Sequence, residues 1–276
     1  MPLRLLGGLH FLVLAGRASW DSVPDALTDE AAFLARFVAE QGVQTNEVQR
    51  SWVLAPCLAR VAERIGADTV DLVELGPSAG LNLVWDRYRC EYAGGSTGPA
   101  GAAVVLTGEE RRRVPPSTLG RAPVVRRRLG IDRAPIDVTT DEGARLLQCF
   151  VWADQHERLA RLRAAIAELR RDPPELVQGD FLERLPAILA ERTADLPTIV
   201  FQTAVLAYVA DEGRARLRAT LDEAGASGAP LAFVSTGRPR EDGESWGLRL
   251  TYWPGHEREF VGHADYHGAW LDWELA

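Results

Sequence analysis

Lysine is absent from the 276 residues, so all 31 basic side chains are arginine. No side-chain Schiff base can form, a Walker-type phosphate loop lacks its lysine, and a serine–lysine dyad is excluded. Cysteine is scarce. Cys57, Cys90 and Cys149 are an odd number in mostly apolar contexts without C-x-x-C spacing, which supports neither a disulfide framework nor a zinc knuckle. The expectation is a reducing, cytoplasmic setting and no metal site. Long apolar runs are missing as well. The run Leu3 to Ala15 contains Gly7, Gly8 and His10 and is too short to span a bilayer. Only Arg4 precedes it and Ala15-Gly16-Arg17 is not a small-x-small cleavage site, so it reads as a buried helix rather than a signal. Positive charge is in deficit: 39 acidic residues leave a net charge of -8, which disfavours nucleic acid and anionic membranes and favours a small-molecule partner.

What remains is ample core material, with 46% hydrophobic residues. Helical patterns at Asp29 to Glu40 and Asn46 to Ile65 precede a short apolar strand at Val70 to Leu75 and a helix starting near Gly80. A Gly-, Pro- and Arg-rich stretch, Gly94 to Pro123, carries one strand-like piece at Ala103 to Thr107. A strand from Val124 then ends at Asp132, and a single long helix is expected from Asp141 to Arg170. Strands at 175–178, 198–201 and 230–235 alternate with helices at 182–191 and 211–224. That order implies parallel strands joined by right-handed crossovers. The tail differs, alternating like antiparallel strands at Gly247 to Trp253 and Arg258 to Gly262, with a last strand at Ala269 to Trp273. The fold expected is α/β: a doubly wound, mostly parallel Rossmann-like sheet with an antiparallel C-terminal edge and N-terminal helices. Residues 1–66 are expected as a helical segment and 67–276 as the core, with an insertion at about 93–123.

The turn Glu74-Leu75-Gly76-Pro77-Ser78-Ala79-Gly80 has two chemical readings. As an acid followed by spaced glycines it would cradle a nucleotide-like cofactor against a helix N-terminus. As Gly76-x-Ser78-x-Gly80 it matches a nucleophile elbow, for which His263 or His267 and Asp211 or Asp242 follow in the required order. Position favours the cradle, because the turn follows the first strand, where an open α/β sheet binds ligand. Further polar groups fall at strand ends: Asp132, Asp180 with Phe181, and Gln202. An acid after the second strand can accept from ribose hydroxyls, and Asp180 can accept from an adenine amine while Phe181 stacks on the ring. The plainer alternative for Asp132 and Asp180 is helix capping.

These segments, with the antiparallel end, resemble a class I S-adenosylmethionine-dependent methyltransferase. More closely, Val43-Gln44-Thr45-Asn46-Glu47-Val48, the Glu74 to Leu83 run with Trp85-Asp86-Arg87-Tyr88, and the closing His267-Gly268-Ala269-Trp270-Leu271-Asp272-Trp273 resemble an uncharacterised bacterial domain-of-unknown-function family, number 2332. The resemblance implies a methyltransferase-like Rossmann fold with S-adenosylmethionine as cofactor. It places Glu74, Gly76, Ser78, Gly80, Asp132, Asp180, Phe181 and Gln202 at the cofactor. Gln44, Asn46, Glu47, Asn82 and His267 are candidates for substrate. No catalytic residue is singled out, since His156, His263, His267 and Tyr208 are equal candidates for removing an acceptor proton. A non-catalytic, regulatory protein with the same fold is the second reading, and a serine hydrolase using Ser78 the third.

Overall fold

The computed structural model describes residues 2–120, 122–193, 195–226, 228–239 and 245–275. Contacts divide the chain into two compact units, Met1–Asn46 with Ile136–Pro173, and Glu47–Pro135 with Pro174–Ala276.

The first unit is helical. It contains α1 (Pro2–Leu14), α2 (Val23–Asp29) and α3 (Ala31–Glu40). Leu9 and Leu12 of α1 pack with Ala26 and Leu34, while Phe11, Phe37 and Cys149 form a second cluster with Phe33 and Phe150 at its edge. The helices approach closely because α1 carries Gly7 and Gly8: a Cβ at Gly7 would lie 2.8 Å from the Phe150 ring. His10 is buried, and desolvation holds its pKa below the usual imidazole value despite its contact with the Cys149 carbonyl. The expected buried helix at the N-terminus is thus present, although Leu3, Leu5 and Leu6 are exposed.

The second unit opens with α4 (Arg50–Ile65), which leads into β1 (Thr69–Leu75). A short 3-10 helix (Leu81–Arg87) follows, and then β2 (Arg89–Tyr92), β3 (Gly95–Thr97), β4 (Val105–Thr107), β5 (Glu109–Arg112), α5 (Pro116–Leu119) and β6 (Val124–Asp132). The chain next contributes α6 (Asp141–Gln148) and α7 (His156–Leu169) to the first unit. It returns with β7 (Glu175–Gln178), α8 (Phe181–Ala190), β8 (Thr198–Gln202), α9 (Asp211–Gly225), β9 (Leu231–Pro239), β10 (Ser245–Trp253), β11 (Glu257–Asp265) and β12 (Trp270–Trp273).

Among the described residues the main sheet has nine strands in the order β7-β6-β1-β8-β9-β10-β11-β12-β5. From β7 to β9 neighbours are parallel, β9 to β12 form an antiparallel meander, and β12 pairs parallel with β5. This is the mixed α/β sheet with antiparallel edge strands that the alternation implied. β8 is buried along its whole length, as a strand covered on both faces must be. Val73, Leu75, Leu129, Ile131, Val200 and Phe233 of the sheet pack against Phe181, Leu185 and Leu189 of α8 and Leu217 and Leu221 of α9.

Several expectations are corrected. The boundary at residue 66 is not where packing divides the chain: α4 is buried on nearly every side from Arg50 to Ala59 and folds with the sheet, while α6 and α7 fold with α1 to α3. The single helix expected at Asp141 to Arg170 is two, because Cys149 and Phe150 turn into the aromatic cluster and Val151 is buried, ending the regular periodicity. The helix expected after Gly80 is a 3-10 segment with a kink at Val84, tied by the Tyr88 hydroxyl donating to the Leu81 carbonyl at 2.8 Å. The stretch from 94 to 123 holds β3 and β4, which form a small sheet with β2, and β5, which extends the main sheet. The strand-like piece expected at Ala103 to Thr107 is β4, whereas β3 and β5, short, polar and largely exposed, carry no apolar alternation that would mark them.

Candidate functional site

The strand order runs outward from β1 to β6 and β7 on one side and from β8 to β9 on the other, so it reverses between β1 and β8. In an open α/β sheet the carboxyl ends at such a reversal form a crevice. The turn after β1 begins there. Gly76, Ser78 and Gly80 all have positive φ, at 70°, 56° and 82°. Glycine adopts that region without penalty and serine does not. Each of these residues uses its N–H inside the protein: Gly76 donates to the Ile131 carbonyl at 2.9 Å, Gly80 to the Pro77 carbonyl at 2.9 Å, and Ser78 to Asp132 Oδ2 at 2.8 Å. The other Asp132 oxygen accepts from the Ala134 N–H at 2.9 Å. Asp132 therefore ties the end of β6 to the turn after β1.

The glycines are also wedged against protein. A Cβ at Gly76 would sit 2.7 Å from Val205, and one at Gly130 2.6 Å from Pro77. Absence of a side chain lets the turn, the neighbouring strand and the loop after β8 approach one another.

Glu74, the last-but-one residue of β1, is 1% exposed. Burial pushes its carboxyl pKa up to about 8; Arg50 opposes the shift, Asp132 adds to it, and a hydrogen bond from Asn82 opposes it. Asn82 is buried too, and its Oδ1 accepts from the Ser51 hydroxyl at 2.8 Å, so a chain of donors runs from Ser51 through Asn82 to Glu74. Glu74 Oε2 finds no hydrogen-bond partner among the described residues. A buried oxygen left without a partner is costly, and ligand sites are where such atoms are tolerated.

Beside this carboxyl, Arg50 is buried with its guanidinium 5.2 Å from the ring centres of both Trp246 and Tyr266. Its Nε donates to the Tyr266 carbonyl at 3.0 Å. The two rings meet edge to face at 4.3 Å. At the end of β8, Gln202 is fully buried and its Nε2 donates to the Thr236 carbonyl at 2.9 Å. Its Oε1 accepts from the Leu206 N–H at 3.4 Å. Gln202 thus latches β8 to β9 and to the loop that bears Tyr208, which is 82% exposed.

Asp180 caps α8, accepting from the Leu182 N–H at 2.9 Å, and pairs with Arg133 at 2.6 Å. Partial burial raises its pKa, but hydrogen bonds from Arg133 and Leu182 outweigh it and leave the pKa below the ordinary value. Phe181 lies in the core under α8. Glu47, also buried, accepts from the Gln49 N–H at 3.1 Å, and Gln49 Nε2 in turn reaches the carbonyls of Thr107 and Gly268. Gln44 and Asn46 belong to the helical unit, as does His156. His267 is exposed and stands edge-on to Tyr266 at 5.2 Å. His263 lies on β11, its ring against Phe260. Of the proposed hydrolase acids, Asp211 is exposed at the start of α9 and Asp242 lies outside the described residues. The structure thus gathers Glu74, Asn82 and Asp132 around one turn. Arg50 and Ser51, which join them, carried no signal beyond being polar residues ahead of the apolar run Trp52 to Ala59.

The sequence profile of an uncharacterised protein family conserved in bacteria, DUF2332, matches residues 1–273. The chain belongs to this family. A comparison with curated proteins finds no match. In this DUF2332 chain the buried carboxyl therefore has to be interpreted from its own surroundings.

Proposed function

We propose that the chain binds S-adenosylmethionine at the carboxyl ends of β1, β6 and β8 and transfers its methyl group to a small molecule. The observation that carries this reading is Glu74: a carboxyl with a buried oxygen that has no hydrogen-bond partner among the described residues, at the point where the strand order reverses. An ammonium or hydroxyl donor satisfies that oxygen, and an ammonium also draws the carboxyl into its ionised form. Asp132 has accepted one N–H on each oxygen and keeps lone pairs that can take ribose hydroxyls. The bound sulfonium supplies an already activated methyl group, so the protein's part is to position the acceptor in line and exclude water. Phe181, being core, supports α8 instead of stacking on a ring, and Gln202 keeps the β8 loop in place.

A non-catalytic, ligand-sensing role is the second reading. It is favoured by the N–H groups of residues 76, 78 and 80, all of which are bonded within the chain. Titration calorimetry with S-adenosylmethionine and S-adenosylhomocysteine decides on binding: one site is expected, weakened at least tenfold in Glu74→Gln. No saturable heat with either compound at any pH from 6 to 9 sinks both the transferase and this cofactor assignment. Binding without methyl incorporation from labelled cofactor into any component of a bacterial metabolite extract leaves the sensing role.

A further inference from the structure

Within the helical unit, α6 and α7 line an open groove of about 500 Å³. Ala144, Ile166, Ala167 and Leu14 of α1 supply its apolar lining, and Arg145, Arg163 and Arg170 line it together with Asp141 and Gln148. Arg170 is committed: it donates to the Val138 and Thr140 carbonyls at 2.7 and 3.0 Å and pairs with Asp141, which offsets its charge. Arg145 and Arg163 are different. Arg145 lies 5.4 Å above the Phe11 ring and Arg163 Nε donates to Gln148 Oε1 at 2.7 Å, and neither makes an ion pair among the described residues. The groove's one carboxylate, Asp141, is taken up by Arg170, so among the described residues Arg145 and Arg163 leave it with an excess of two positive charges in a chain whose net charge is -8.

We propose that this groove is a binding site for a small phosphorylated molecule, its dianionic head held by Arg145 and Arg163 and its apolar body lying on the alanine and isoleucine lining. Guanidinium forks match phosphate oxygens and are weakly hydrated, so two of them accept a doubly charged tetrahedral group better than a singly charged carboxylate. The site is independent of the chemistry at Glu74.

Calorimetry at fixed ionic strength, set with chloride, tests it using phenyl phosphate, inorganic phosphate and benzoate. Phenyl phosphate is expected to bind one to one, at least tenfold more tightly than either of the others. Arg145→Gln and Arg163→Gln should each weaken it about tenfold or more, while Arg171→Gln, in the turn that follows α7, outside the groove and paired with Glu168, should leave it unchanged. Arg163 is exposed and Arg145 half-buried, and unaltered melting of the variants confirms that folding is intact. Absence of saturable binding, equal binding of benzoate, or binding insensitive to Arg145→Gln and Arg163→Gln overturns the proposal.

Discussion

Glu74 is the residue whose chemistry dominates the sheet unit. Its folded pKa of about 8 lies above the ordinary value of 4.5, so the folded state favours the neutral carboxyl. The sign follows from linkage: below pH 4.5 the residue is neutral in both states and costs nothing. From there to about pH 8 the unfolded chain ionises and the folded one does not, so stability falls as pH rises. Glu74→Gln removes that slope. Urea denaturation of parent and variant should give similar stability at pH 4.5 and a variant advantage growing to a few kcal/mol by pH 8. A parallel pair of curves would show that Glu74 ionises normally. The same proton reports on ligand: if a cation binds Glu74, calorimetry at pH 7 in buffers of different ionisation enthalpy should show release of about one proton. Ser78 is the other informative residue. Its φ of 56° carries a penalty that glycine escapes, so Ser78→Gly should raise stability by about 1 kcal/mol, read as a melting shift of roughly 2–4 °C. Lower stability in Ser78→Gly would mean that the side chain contributes more than its backbone costs. A nucleophile elbow also demands a strained serine, and labelling of the parent but not Ser78→Ala by a fluorophosphonate would revive that chemistry.

At the scale of elements, the turn after β1 is held by shape. Gly76→Ala places a Cβ 2.7 Å from Val205 in a conformation alanine resists, and is expected to cost about 2–4 kcal/mol while loosening the loop after β8. Chemical denaturation measures the first effect and faster amide exchange at 203–208 the second. A neutral outcome would show that the β8 loop yields freely. The acidic residues at strand ends divide by their partners. Asp180 is a helix cap paired with Arg133, the plainer of its two sequence readings, whereas Asp132 joins β6 to the turn. Both are aspartates at a strand end whose Oδ1 accepts from the N–H two residues on, and only the partner of Oδ2, the Ser78 N–H for Asp132 and Arg133 for Asp180, separates their roles. Residues 141–170 hold a comparable lesson. Their apolar spacing reads as one helix, but burial of Cys149 and Val151 outweighs helical continuity there.

Over the whole molecule, the sheet should not open uniformly. β1 and β8 are flanked on both sides by parallel partners, while β7 and β5 are edges. Hydrogen exchange should therefore be slowest in β1 and β8 and fastest in β5, β7 and the small sheet of β2, β3 and β4. Protection in β5 equal to that in β8 would indicate an added partner along that edge. The sequence by itself determined the composition limits, the βα alternation, the antiparallel tail and the strand-end acids, because apolar periodicity and turn residues are local signals. Tertiary structure alone decided that α4 belongs with the sheet and α6 and α7 with the N-terminal helices. It decided too that Ser51, Asn82 and Glu74 form one hydrogen-bonded chain beside Arg50, and that the turn's own N–H groups are bonded within the protein. Those outcomes depend on contacts between residues far apart in the chain, where burial and hydrogen-bond satisfaction act and local pattern carries no information.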